Sequence, residues 1–260
     1  MSASGAVLWL VNGIIVLYLL APIVVVVATA FTTTAYPVFP PRGFTLKWFA
    51  KFMATEEFRS GMRLSFVLAL ASTAVAVALG TLTALALARY RVRALAALSA
   101  FVLSPILFPG IVLGLALLIY FHQTGLAGSF WSLAAAHAVL TTPFVIRMVM
   151  ASLGELDPSL EEAARNLGAG WWGTFFLVTL PLIRPGVLAG AIFAFIISFD
   201  ELVITLFIAG PKLTTLPIRI FTYVEYASDP TISAISTTLI AVWIAVGVPV
   251  YTRFLGVRHR

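Results

Sequence analysis

The chain contains no cysteine, only three histidines, and only 10% charged residues in a length of 260. Without thiols there can be no disulfides, thiolate metal sites or cysteine nucleophiles. His122, His137 and His259 are too scattered to build a metal cluster, so neither a metal site nor a catalytic residue is assigned. No stretch has the phosphate-cradling form GxxxxGK[ST], and none of the lysines, Lys47, Lys51 and Lys212, follows such a loop. No convergent nucleophile or metal set of the kind a membrane enzyme needs is present. A long hydrophilic domain is missing too. Hydrophobic residues make up 61% of the chain and mean hydropathy is +1.06, which places it among membrane proteins. Its excess of 16 Lys plus Arg over 10 Asp plus Glu sits beside apolar runs rather than in a basic stripe, which argues against nucleic-acid binding.

A helix needs about 20 apolar residues to cross the hydrocarbon layer, and six stretches qualify: 6–31, 64–88, 94–120, 130–150, 185–209 and 232–255. The expectation is an all-α membrane protein forming one domain over 1–260. The first stretch is read as a retained anchor, because no Lys or Arg precedes Arg42 and the apolar run exceeds an ordinary signal-peptide core. Six spans put both termini on one side. The tight Arg89-Tyr90-Arg91-Val92-Arg93 hinge and the terminal Arg258-His259-Arg260 assign that side to the cytoplasm. Ser72, Ala76, Gly80, Ala84 and Ala88 recur every four residues, a ladder that lets helix backbones approach closely. Pro22, Pro105, Pro109 and Pro143 fall within spans, where proline frees carbonyls and bends helices.

Residues 151–181, between spans four and five, read as a helix, a sharp glycine turn and a second helix held outside the membrane. Asp157-Pro158 is a helix start. Leu153, Leu156, Leu160, Ala163, Ala164 and Leu167 recur at steps of three or four. Gly168 suits a left-handed cap, and the second helix runs through Trp171, Trp172, Phe175 and Phe176 to stop at Leu180-Pro181. Glu162-Ala163-Ala164, three residues, Gly168, nine residues, then Val178-Thr179-Leu180-Pro181 resembles the EAA motif of binding-protein-dependent ABC importer permeases, with Val178 where the family has isoleucine. The resemblance implies the type I importer permease fold. In that fold this segment is a coupling helix, with Glu161, Glu162, Ala163, Ala164, Arg165 and Gly168 at the contact with an ATP-binding subunit. It implies further that the chain is no enzyme and has no cofactor of its own, ATP and Mg being held by partner subunits. The implied partners are two ATP-binding subunits, a second and different permease, and an extracytoplasmic substrate-binding protein. The implied location is the bacterial inner membrane.

Asp200-Glu201 lies about 22 Å into the fifth apolar stretch, counted from Pro185. Carboxylates at such depth are costly and mark functional candidates. Two readings fit them: one lines a pathway for a cation, or the pair meets an arginine of a second subunit or caps a broken helix. Ser198 to Thr205 together with Gly210 to Pro217 resembles the second permease subunit of spermidine/putrescine-type importers, and also related importers of opines, aminophosphonates and other amino compounds. The resemblance implies a small, polyamine-like amine as the solute. A stand-alone secondary transporter or channel is the rival, but no clear internal repeat is present and the motif would go unexplained. In the outer segment 32–63, Leu46, Phe49 and Phe52 beside Lys47 and Lys51 suggest a short interfacial helix.

Overall fold

The computed structural model describes residues 3–90, 93–250 and 252, all helix or irregular structure with no strand among them. Arg91, the end of the sixth expected span and the terminal Arg258-His259-Arg260 lie outside the described residues. In chain order come α1 (Ala3–Thr29), α2 (Lys47–Ala54), α3 (Glu56–Arg89), α4 (Arg93–Leu103), α5 (Gly110–Gln123), α6 (Phe130–Gly154) and α7 (Pro158–Asn166). They are followed by α8 (Trp171–Thr174), α9 (Leu180–Asp200), α10 (Val203–Ile208), α11 (Leu216–Tyr226) and α12 (Thr231–Val250). The chain packs as two units, 3–59 with 219–250, and 60–218.

Several boundaries differ from those expected. The second span is longer than 64–88, because α3 starts at Glu56. Its first turn carries Glu56 and Glu57, which suit the positive pole of a helix N-terminus, and Glu56 pairs with Arg59 one turn on. The third span is broken rather than continuous over 94–120. A 3-10 turn at Ser104–Leu107 leads to an extended Phe108 and to Pro109, and the flanking helices are bent by 111°. Pro22 and Pro143, by contrast, stay inside helices. The fifth span is a helix over Trp171–Asp200 that ends there instead of crossing 185–209. Leu180-Pro181 does not stop it. The missing N–H of Pro181 falls directly after a π turn, Phe175–Thr179, and the backbone adjusts within that wider turn. The segment outside the membrane is accordingly narrower than 151–181: α6 occupies its start, the fifth-span helix occupies its end, and α7 with its two turns remains.

Among the described residues five helices are long and apolar enough to span, with a sixth crossing if the bent pair α4–α5 counts as one. Two ion pairs decide that count. Arg89, at the end of α3, lies 2.6 Å from Glu161, after α6, so one membrane face holds both. An even number of crossings must separate them, so α4–α5 crosses along with α6. Lys51, after α1, lies 2.5 Å from Asp229, after α9. The crossings between those residues are α3, α4–α5, α6 and α9, which is even only when the bent pair crosses.

In the unit 60–218, α6 is the central helix, flanked by α3 and α9. Val145 is fully buried between two glycines. A Cβ on Gly80 would stand 2.8 Å from the Val145 side chain, and one on Gly190 would stand 3.0 Å from its Cα. Ser72, Ala76, Gly80 and Ala84 are buried along α3 as the ladder implies, while Ala88 is exposed at its end. In the other unit, α2 is the short helix expected in the outer segment. Trp48 is buried and donates from Nε1 to the Thr32 carbonyl at 2.8 Å, and Phe52 and Phe58 pack edge to face.

Candidate functional site

Two helix breaks lie side by side in the unit 60–218. The first, at Phe108-Pro109, precedes α5; the second, at Glu201-Leu202, separates α9 from α10. A Cβ on Gly110 would reach Val203 at 3.5 Å, and one on Gly114 would stand 2.8 Å from the Phe207 ring. Irregular backbone at membrane depth persists only where protein buries it or where it lines a water-filled cavity, so this junction is the structural candidate for the pathway.

The second break is held by polar groups from four helices. His137 of α6 is fully buried, with Nδ1 2.8 Å from Ser198 Oγ and Nε2 2.9 Å from Thr205 Oγ1. Thr205 donates to the Glu201 carbonyl at 2.8 Å, so it accepts from His137, which assigns the proton to Nε2. Nδ1 then accepts from Ser198, whose hydroxyl lies 2.8 Å from that of Ser72 of α3; the single Ser72 proton is shared between Ser198 and the Leu68 carbonyl at 2.9 Å. The sequence left His137 as a scattered histidine and did not connect it with Ser72, Ser198 and Thr205. The available signal was an ionisable ring inside a span.

The adjacent carboxylates part company here. Glu201 Oε1 accepts from the Ile204 N–H at 2.8 Å and caps α10, the broken-helix role. Asp200, the last residue of α9, is exposed and has no hydrogen-bond or ionic partner among the described residues.

In the coupling segment, Asp157 caps α7 by accepting from Ser159 N–H at 2.9 Å, and that bond holds its carboxyl below the ordinary value. Gly168 has φ +91°, a left-handed conformation that favours glycine, and Ala169 N–H closes the turn onto the Ala164 carbonyl at 3.0 Å. Glu162, Ala163, Arg165 and Gly168 are exposed, Ala164 is half-buried, and Leu167 is 90% exposed. The apolar side of α7 is therefore uncovered by the described residues. Glu161 behaves differently from its neighbours. Its side chain is only 13% exposed, accepts from Arg89 at 2.6 Å and from the Thr179 hydroxyl, and faces Arg165 at 3.8 Å. Among the described residues no group of three or more metal-ligating side chains lies together.

Residues 76–256 match the family described as the binding-protein-dependent transport system inner membrane component. The spermidine/putrescine transport system permease protein PotC of Escherichia coli (strain K12) is 32% identical over 223 residues, covering 86% of this chain and 84% of that protein. The putrescine transport system permease protein PotI of the same organism is 33% identical over 238 residues, covering 89% and 83%. A crystal structure of a bacterial ABC transporter involved in the import of the acidic polysaccharide alginate superposes with a TM-score of 0.75 over 98% of this chain and 99% of that one. At 15% identity it speaks for the fold alone.

Proposed function

The chain belongs to the binding-protein-dependent transport system inner membrane component family, and from that premise we propose that it forms one half of the route by which an ATP-driven importer moves a small, polyamine-like amine across the bacterial inner membrane. It is a multi-pass permease subunit of an ABC importer and carries no ATPase site of its own, ATP being hydrolysed on separate subunits. A stand-alone transporter or channel leaves the family match without an explanation. The assembly proposed has two ATP-binding subunits holding ATP and Mg, one of which docks on the surface that α7 and its following turn present with Glu162, Ala163, Ala164, Arg165 and Gly168. A second, different permease completes the pathway, and an extracytoplasmic binding protein delivers the solute. Both termini are cytoplasmic, and the two packing units serve together as one permease domain over 1–260. The amine reading is supported by the names of the PotC and PotI relatives.

One observation carries the pathway reading: Asp200 is an exposed carboxylate beside two helix breaks and has no cation beside it among the described residues to offset its charge. Asp200→Asn in the complete complex, reconstituted in vesicles, lowers putrescine uptake by about tenfold, a loss of about 1.4 kcal/mol, and leaves copurification of the subunits intact. Separation of the subunits instead would assign Asp200 to an interface arginine, because neutralising one partner strands the other. Wild-type uptake by the variant would remove Asp200 from the pathway.

A further inference from the structure

We infer that Glu161 is an internal joint that ties the coupling helix to two membrane helices, and that it does not face the ATP-binding subunit. The inference rests on reading α7 as the coupling helix. Glu161 Oε1 gathers two donors from outside α7: Arg89 Nη2, the end of α3, at 2.6 Å, and the hydroxyl of Thr179, the last residue of the π turn at the base of α9. Thr179 is fully buried, and the Glu161 and Arg89 side chains are 13% and 23% exposed. Glu162, one position along, is exposed and has no partner among the described residues. Charge-assisted bonds in partly buried surroundings are stronger than neutral surface contacts, so this carboxylate holds three segments at fixed separation.

The placement gives the joint its consequence. From Arg89, α3 runs about 25 Å to Ser72, and from Thr179, α9 runs about 28 Å to Ser198. Ser72 and Ser198 are hydrogen-bonded at 2.8 Å in the polar cluster beside Asp200. The two helices fastened together at the joint are thus fastened again at the break. Displacing α7 moves both as one strut, and their far ends bear on Glu201 and Asp200. The π turn fits this role, since such turns let a helix shift register locally and recur at functional positions.

The test uses the complete reconstituted complex. Glu161→Ala and Arg89→Ala should each lower putrescine uptake per ATP hydrolysed by about tenfold or more, as expected for losing a hydrogen bond between charged groups, with copurification of the ATP-binding subunit unchanged. The double variant should lose no more than either single one, because both remove the same link. Thr179→Val, close in volume, should lower the same ratio and decides the matter if Glu161→Ala does not accumulate. The chain has no cysteine, so nitroxides on Tyr90→Cys and Ser159→Cys, both exposed positions, report the joint directly. Their separation should be narrow and unaltered by ATP in the otherwise native chain and broad in Glu161→Ala. This distance readout needs no transported solute, so a native complex that takes up no putrescine counts against the proposed substrate while the joint is judged on the distances. Multiplying losses in the double variant, detachment of the ATP-binding subunit in Glu161→Ala, or an unchanged distance distribution would each overturn the inference.

Discussion

His137 shows how much of the break depends on one ring. Truncation to alanine opens a cavity and takes one hydrogen-bond partner from each of the Ser198 and Thr205 hydroxyls, at a combined cost of about 2–5 kcal/mol. The purified complex carrying His137→Ala should unfold at a clearly lower temperature than native, and His137→Gln should recover part of the loss because an amide can donate and accept. A second prediction concerns Asp229. Burial pushes its carboxyl up, but hydrogen bonds from Lys51, Thr231 and Tyr223 outweigh that and leave it at about 2. Lys51 is raised in turn, chiefly by its bond to Asp229. The ionised Asp229 therefore stabilises the fold above the unfolded carboxylate value, about 3.9, and that contribution disappears as pH falls from there towards 2. Lys51 keeps its share until pH rises through the lysine range. The unfolding temperature of the native complex should fall between pH 5 and pH 3 more steeply than that of Asp229→Asn; parallel curves would deny the pair this role. Neither cluster could be assembled from sequence, since His137, Ser198 and Thr205, or Lys51, Tyr223 and Asp229, become neighbours only once the helices are placed.

Between helices, packing is set by where side chains are absent. A leucine at Gly190 would press atoms into the backbone of α6, whose nearest atom stands 3.0 Å from an added Cβ. Backbone cannot swing aside as a side-chain tip can, so Gly190→Leu should cost about 1–3 kcal/mol or more and reduce recovery of assembled complex. Gly247→Ala in α12, with nothing within 4 Å of an added Cβ, should be neutral or slightly stabilising in the same assay. The ladder on α3 was legible because its period of four is a pure sequence property, and the cap and turn of α7 were legible because Asp157, Pro158 and Gly168 act locally. Helix ends were harder to read. The charged turn Glu56 to Arg63 looks external by hydropathy yet continues α3, and Pro181 looks like a stop and Pro185 like the start of a span, yet both sit inside one helix with a π turn before them. The break after Asp200 had no breaker residue to announce it: Glu201, Leu202 and Val203 carry neither proline nor glycine, and the polar contacts of His137 and Thr205 hold the chain open there.

At the scale of the whole chain, the bent pair α4–α5 decides which loops share a membrane face. If it crosses, the loop 124–129 lies with the segment following α1 and with the turn between α11 and α12. If it dips in and returns, the loop 124–129 lies opposite the segment following α1, and the turn between α11 and α12 lies opposite it as well. The Lys51–Asp229 pair at 2.5 Å forbids the second arrangement, because the residues it joins would sit on faces separated by about 30 Å of hydrocarbon. Arg89 and Glu161 forbid it independently from the other end of the spans. The absence of native cysteine makes the point directly measurable with single cysteines at the exposed positions Tyr36, Leu126 and Tyr226. A membrane-impermeant maleimide added to spheroplasts should label all three from outside and none from inside-out vesicles. Labelling of Leu126→Cys from the face opposite Tyr36→Cys would make α4–α5 a re-entrant hairpin, whereas all three labelling only from inside would keep six crossings and reverse the termini.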